Sequence, residues 1–333
     1  MDLIESYKEE LQLIRKPWTR IWVGVFLLCL LLLPWFTPEH VAYVATIIFI
    51  YSIGVQGQNL LIGYTGQISF GQAGFLAIGA FTFGHLNQWG VPWPLGVLAA
   101  GVAAGLFGIL VGFPSLRLKG PYLAIVTMGF GIAVYQIFVN SEALSGGRMG
   151  LAINKITPLF DMSDVIFNYY FNFIIALAFT LLSYNIISSY MGRAFIAIRD
   201  NDIAAEVLGV NLTRYKLLSF AISSFYTGIQ GALYGLLVGY LEPNMFTFME
   251  SITLFVAVII GGLASIEGSI MGAAFVILVP QIFSSGIWIL EDYKELVPVV
   301  FGVTILVVLI FEPLGLNGRW LKMRLYFRNW PFR

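Results

Sequence analysis

Apolar residues arrive along this chain in long runs rather than in alternation, and the runs set the elements. Ten stretches read as spanning helices: residues 20–36, 41–62, 73–88, 94–113, 121–139, 166–190, 215–240, 250–262, 268–285 and 296–311. The third, eighth and tenth fall short of the roughly 20 residues that a bilayer asks of a helix. One interruption differs from the other connections. Gly192 to Lys216, GRAFIAIRDNDIAAEVLGVNLTRYK, is a charged island between two apolar runs. Inside it Ile203, Ala204, Val207 and Leu208 fall at i, i+1, i+4 and i+5, which places them on one side of a short helix over Asp202 to Leu208. Asn201 or Asp200 can cap its start, and Gly209 can end it by taking the left-handed conformation. Such a helix is about 12 Å long at 1.5 Å per residue, too short to cross a bilayer. It must lie on a surface.

Composition narrows the class. The 333 residues are 59% hydrophobic and 11% charged, with a mean hydropathy of +0.85, whereas soluble chains carry about 25% charged residues. The fold class expected is an all-α polytopic membrane protein. Net charge is zero, so nothing favours nucleic acid as a partner. Cys29 is alone, and His40 and His85 lie far apart at segment ends, which gives neither a disulfide nor a metal site. The charged stretch from Met1 to Arg20 precedes an overlong apolar segment without a small-residue cleavage pattern, so it reads as retained rather than as a secretory signal. Ile4, Tyr7, Leu11 and Ile14 make residues 2–15 an amphipathic segment lying on the membrane or on a partner, or else a solvated tail.

Orientation follows from the lysines and arginines of the connections. With the N-terminus cytoplasmic, fifteen of the eighteen fall inside and only Arg148, Lys155 and Lys294 outside. Both termini and the island then face the cytoplasm. Dividing ten spans near residue 165 gives two inverted five-helix halves, a common transporter plan. The domain organisation expected is an N-terminal segment 1–19, one transmembrane domain 20–312 carrying a cytoplasmic loop 191–216, and a basic tail 313–333. The connection between residues 140 and 165 is the longest one outside, either a docking surface or a plain loop.

Small residues recur at every fourth position in Gly101 and Gly105, Gly108 and Gly112, and Gly231, Gly235 and Gly239, ridges that let helix backbones approach closely. Two other glycine-rich stretches are less regular. Asn59 to Ala80, NLLIGYTGQISFGQAGFLAIGA, mixes five glycines with uncharged hydrogen-bonding groups, and irregular backbone at membrane depth belongs where it is buried or lines a watery cavity. Gln56, Asn59, Gln67, Ser69 and Gln72 are therefore candidates for a solute pathway, the alternative being a turn whose amides bond neighbouring helices. Ile260 to Ala274, IGGLASIEGSIMGAA, reads as a tight cytoplasmic turn, with a gate or a partner contact as the sharper possibility.

The chain lacks a G-x-x-x-x-G-K-[ST] loop and so cannot hold ATP phosphates in that way. Its apolar runs are nearly free of ionisable residues, with Glu250 and Glu267 at segment ends, which argues against an ion-coupled carrier. No constellation suited to acid–base or nucleophilic work is present, and an enzyme is not expected.

Three stretches resemble one family. GYTGQISFGQAGFLAIGA is similar to the first glycine-rich signature of the LivM-type permease subunits of branched-chain amino acid ABC importers. GRAFIAIRDNDIAAEVLGVNLTRYKLLSFAISSFYTGIQGALYG resembles their cytoplasmic loop and following span, and GGLASIEGSIMGAAFVILVPQ the third signature. The resemblance covers roughly residues 40–312 in the same order. It departs at Ala264, where the family usually has glycine, and at Ser269, where it usually has proline. The resemblance implies translocation of branched-chain or other apolar amino acids across a bacterial or archaeal cytoplasmic membrane. It implies as partners two ATP-binding subunits that bind the ATP, a second permease subunit, most simply a paralogue, and an extracytoplasmic solute-binding protein; this chain itself carries no cofactor. By the same resemblance Ile203, Ala204, Ala205, Glu206, Val207, Leu208 and Gly209 form the helix that couples to an ATPase. A permease or channel for urea or another small neutral solute is the alternative reading.

Overall fold

The computed structural model describes residues 17–116, 118, 120–154 and 163–286, with single positions and one helical turn between 299 and 318. The expected amphipathic segment 2–15, most of the tenth run and most of the basic tail lie outside the described residues. The described chain is almost wholly helical. Its long helices are α1 (Pro17–Phe36), α2 (Glu39–Asn59), α3 (Gln72–Gln88), α4 (Trp93–Ser115), α5 (Pro121–Asn140), α6 (Asp164–Ser188), α9 (Leu212–Val238), α10 (Phe248–Gly261) and α11 (Ile266–Gly286). Between α6 and α9 lie the shorter α7 (Tyr190–Asp200) and α8 (Asp202–Val207). Among the described residues four stretches are long and apolar enough to cross a membrane: Glu39–Tyr64, Trp93–Pro114, Pro121–Asn140 and Asp164–Ser188.

Local chemistry explains where several helices begin and end. Ser163, Ser189, Asn201 and Asn211 each present a side-chain oxygen to a main-chain N–H of the first turn that follows, satisfying donors that a helix start leaves without partners. Pro92 and Gly120 stand just before α4 and α5, each of which has proline in its first turn, where a missing N–H costs nothing. Gly239 ends α9 with φ of 78°. It is a cap, not the third member of the expected glycine ridge.

Burial is inverted relative to a soluble protein. Gln58, Gln72, Asn59, Thr227 and Ser223 are buried, while Leu95, Leu98, Val102, Leu106, Leu110 and Phe113 line the exposed side of α4. Their spacing of three and four residues makes one continuous apolar face. In water this arrangement would be ruinous; in lipid it is the stable one, because lipid tails are as apolar as leucine and polar groups must find partners inside.

The centre of the molecule is α9, packed on α2, α3 and α4. Glycine makes this closeness available. A Cβ on Gly108 of α4 would stand 2.2 Å from Ser224 Oγ, and one on Gly231 of α9 would stand 2.2 Å from the Leu76 carbonyl of α3. Where α5 has ended and α9 has ended, two short strands pair antiparallel, β1 (Leu151–Ala152) with β2 (Tyr240–Leu241), in the register Leu151 to Leu241. The opposite end of the molecule carries α7, α8 and the turn between α10 and α11.

Candidate coupling and pathway site

α8 is short because both of its ends are specified. Asn201 Oδ1 accepts from the N–H of Ile203 at 3.0 Å and of Ala204 at 3.1 Å. At the other end Val210 N–H bonds the Ala205 carbonyl and Gly209 N–H bonds the Glu206 carbonyl, with Gly209 at φ 87°. This paired closure is the Schellman arrangement, which favours glycine at its left-handed position. The helix that results, Asp202–Val207, is one residue shorter than the spacing predicted. Ala205 alone is buried. Ile203, Val207 and Leu208 are 68%, 83% and 81% exposed, and Ala204, Glu206 and Gly209 are exposed beside them. This apolar face, at the charged end of the molecule, has no partner among the described residues.

Two charges fasten this region. Lys216 Nζ lies 3.6 Å from Asp202 Oδ2, joining the start of α8 to the first turns of α9. Arg199, near the end of α7, donates through Nη1 to the Gly63 carbonyl at 3.1 Å and also bonds Asp200. Arg199 and Lys216 thus both meet groups of this chain.

Gly63 belongs to the first glycine-rich break. After α2 the chain passes through a π-helical turn, Leu60–Tyr64, and then runs without helix to α3. The second break meets it here. Asn59 donates to the Ser265 carbonyl at 2.8 Å and to Ser269 Oγ at 2.7 Å, and its Oδ1 accepts from Ala264 N–H at 2.9 Å. A Cβ on Gly63 would stand 2.0 Å from Asn59 Oδ1 and 2.4 Å from Ala264 N, so only glycine admits this clamp. Both departures from the family signature fall within it. Ala264 holds φ of 56°, a conformation that glycine adopts more readily, and Ser269 supplies a hydroxyl that bonds Asn59 and the Ser265 carbonyl.

The remaining candidates bond helix to helix. Gln56 donates to Thr180 Oγ1 and accepts from Ser183, joining α2 to α6. Gln67 donates to Ser219 Oγ at 2.7 Å. Gln72 donates to Ser223 Oγ at 3.0 Å and accepts from Thr227 at 2.8 Å, joining the first turn of α3 to α9. Ser69 Oγ accepts from Gly71 N–H, and its carbonyl accepts from Gln58. The structure thus brings Gln67 and Gln72 to one face of α9, and Gln56 to another helix.

Sequence reasoning passed over three residues of this region. Arg199 looked like one basic residue among several. Glu250 looked like a segment-end charge, yet its carboxylate accepts a hydrogen bond from Tyr51, the thirteenth residue of the 26-residue span Glu39–Tyr64. Gln230 sits within an apolar run and gave no signal beyond being the only amide in it.

Comparison with known proteins agrees with this architecture. A family model described as branched-chain amino acid transport system / permease component matches residues 40–309. The high-affinity branched-chain amino acid transport system permease protein LivM of Salmonella typhimurium is 31% identical over 322 residues, covering 88% of this chain and 74% of that protein. The corresponding LivH of Escherichia coli is 26% identical, covering 81% and 91%. The fructose import permease protein FrcC of Rhizobium meliloti is 29% identical, covering 78% and 74%. No solved structure matches. A match over most of the chain, on a helical framework with buried amides and a lipid-ready surface, places the protein in the family of branched-chain amino acid transport system permease components, multi-pass membrane subunits that are not themselves enzymes.

Proposed function

We propose that this chain is the translocation subunit of an ATP-driven importer of branched-chain or other apolar amino acids in the cytoplasmic membrane of a bacterium or archaeon. Ten spans arranged as two inverted five-helix halves form one domain over residues 20–312, with both termini and loop 191–216 on the cytoplasmic side. Two ATP-binding subunits, a second and paralogous permease and an extracytoplasmic solute-binding protein complete the assembly. The likeness to both LivM and LivH supports the paralogous pair.

The observation that carries this reading is the exposed apolar face of α8 on a helix closed at both ends. Ile203, Ala204, Val207 and Leu208 bury against an ATPase subunit, with Ala205, Glu206 and Gly209 setting the shape of the helix that docks. Closure of the ATPase pair on ATP pushes α8, and the bond from Arg199 to Gly63 carries the displacement into the glycine-rich break. Gln56, Asn59, Gln67, Ser69 and Gln72 frame the pathway there. Each is bonded to a neighbour in this state, and the pathway opens by exchanging those bonds for water and solute.

Co-purification with the natural partners, followed by an uptake panel of leucine, an aromatic amino acid and urea, tests the reading. Leucine uptake that requires both ATP and the binding protein is the expected result. Urea flux that persists without ATP would establish the channel reading instead.

A further inference from the structure

A line of polar groups runs through the contact between α2 and α9 that neither the coupling helix nor the glycine-rich breaks use. Tyr51 and Gly54 share one face of α2, three residues apart, and Gln230 and Tyr234 share one face of α9, four apart. The two faces meet as rungs. The rings of Tyr51 and Tyr234 stand edge to face with centroids 6.4 Å apart. One turn along, Gly54 faces Gln230, and a Cβ at Gly54 would fall 1.7 Å from Gln230 Oε1. The glycine is what gives this amide its place.

Gln230 is 1% exposed, and neither its oxygen nor its nitrogen has a hydrogen-bond partner among the described residues. An amide left so in the interior is a cost to the fold, since its lost hydration is not replaced. At the neighbouring rung the Glu250 carboxylate, from the first turn of α10, accepts from Tyr51, and the residue as a whole is half-buried. One hydroxyl donor uses one of the several acceptor sites of a carboxylate. Among the described residues Tyr51 is the one side chain that bonds Glu250, which leaves acceptor sites for a further donor. A carboxylate reaching the midpoint of a span is expensive and marks a solute path more often than a fastening.

We infer that Glu250 and Gln230 form an intramembrane site for the zwitterionic head of the transported amino acid, Glu250 taking the ammonium group and Gln230 donating to the carboxylate. This rests on the amino-acid importer reading. Tyr51 is a positioning residue that holds the Glu250 carboxylate through one hydroxyl bond, and Tyr234 walls the site beside it.

The test uses the full complex with its partner permease, ATPases and binding protein, reconstituted in liposomes and supplied with radiolabelled leucine. Glu250→Gln keeps an oxygen for the Tyr51 hydroxyl and removes the charge, whereas Tyr51→Phe keeps the charge and removes the bond. A site for ammonium predicts uptake at least tenfold lower in Glu250→Gln, a smaller loss in Tyr51→Phe, and in Glu250→Asp, which keeps the charge, a rate between those of Tyr51→Phe and the wild type. A fastening between α2 and α10 predicts the reverse order, with Glu250→Gln near the wild-type rate and Tyr51→Phe impaired; that order, or equal loss in both, overturns the assignment. If Glu250→Gln does not co-purify with its partners, Glu250→Asp and Tyr51→Phe decide: retained uptake in Glu250→Asp above that of Tyr51→Phe supports the site, and uptake no higher overturns it. Gln230→Met, of equal length and without polar atoms, is expected to unfold at higher temperature and to transport at less than half the wild-type rate. Full transport in that variant removes Gln230 from the site. Failure of the wild-type complex to take up leucine at all would fall on the importer reading itself, and is distinguishable from any of these variant results.

Discussion

The guanidinium of Arg199 donates to the main-chain carbonyl of Gly63 across 3.1 Å, joining two segments 136 residues apart. One belongs to the helix that precedes α8 and the other to the broken end of α2. The acceptor is a carbonyl at the end of the π-helical turn Leu60–Tyr64, where the chain leaves its helix. On the proposed coupling, a displacement of α8 would reach the interior through this charged hydrogen bond, stronger than a neutral one.

Arg199→Ala removes that link and leaves α7 and α8 with their caps intact. Insertion and binding of the ATPases are expected to stay normal while leucine transported per ATP hydrolysed falls at least fivefold. Arg199→Lys, which offers a point charge without the planar fork, should recover part of the loss. A wild-type transport-to-hydrolysis ratio in Arg199→Ala would show that force takes another route.

Leu208→Glu acts at the outer face of the same region. At 81% exposure the side chain is not packed among the described residues, so thermal stability of the isolated permease should change by no more than about 0.5 kcal/mol. Burial of a leucine against a partner contributes about 1.5–3 kcal/mol, so its replacement by a charge should weaken ATPase binding at least tenfold, roughly 1.4 kcal/mol. Titration of purified ATPase onto the permease in detergent measures both quantities. Unchanged affinity in Leu208→Glu and Val207→Glu together would remove α8 as the docking helix.

Ala264 is the one described non-glycine residue with positive φ. A left-handed conformation costs a residue with a Cβ about 1–2 kcal/mol. Part of that is offset by the greater freedom of glycine in the unfolded chain. Ala264→Gly is expected to stabilise the permease by about 0.5–1 kcal/mol, read as a higher unfolding midpoint in detergent, with the Asn59 clamp undisturbed. A lower midpoint would mean that the alanine methyl contributes packing that outweighs its backbone strain.

Gln72 bonds two hydroxyls of α9 from the first turn of α3. Gln72→Ala leaves Ser223 and Thr227 without that partner and opens a void, a loss of about 2–4 kcal/mol. Paired with Gln67→Ala it should abolish most uptake. Full leucine uptake in the double variant would exclude both residues from the pathway.

What the sequence made legible was local. Asn201 and Gly209 are residue types with one strong use each at helix ends, and both serve there. Helix starts and stops lay within a few residues of the apolar runs because lipid leaves little freedom in where such runs begin and end. The glycines of the first break pointed to irregular backbone, and the chain is non-helical there from Thr65 to Gly71. What was illegible was pairwise and distant. Tyr51 and Glu250 are 199 residues apart, and nothing near either one signals the other. Gln230 has the same difficulty in another form: its meaning lies in the absence of a partner, a property that only packing can create. Gly239 misled because its spacing from Gly235 is that of a ridge, although the helix ends there.

The contact of Gly231 with the Leu76 carbonyl shows where this molecule tolerates change. In bilayer there is no water to drive leucines together, so shape and hydrogen bonding alone distinguish the right partner helix from a wrong one. Leu106, 61% exposed on α4, can become any apolar residue at little expense, whereas one methyl group at position 231 must push a backbone aside. The map of tolerance is turned outside in: an interchangeable greasy coat surrounds a seam of glycines and amides in which single atoms are specified, and genetic drift in this chain should accumulate on the coat.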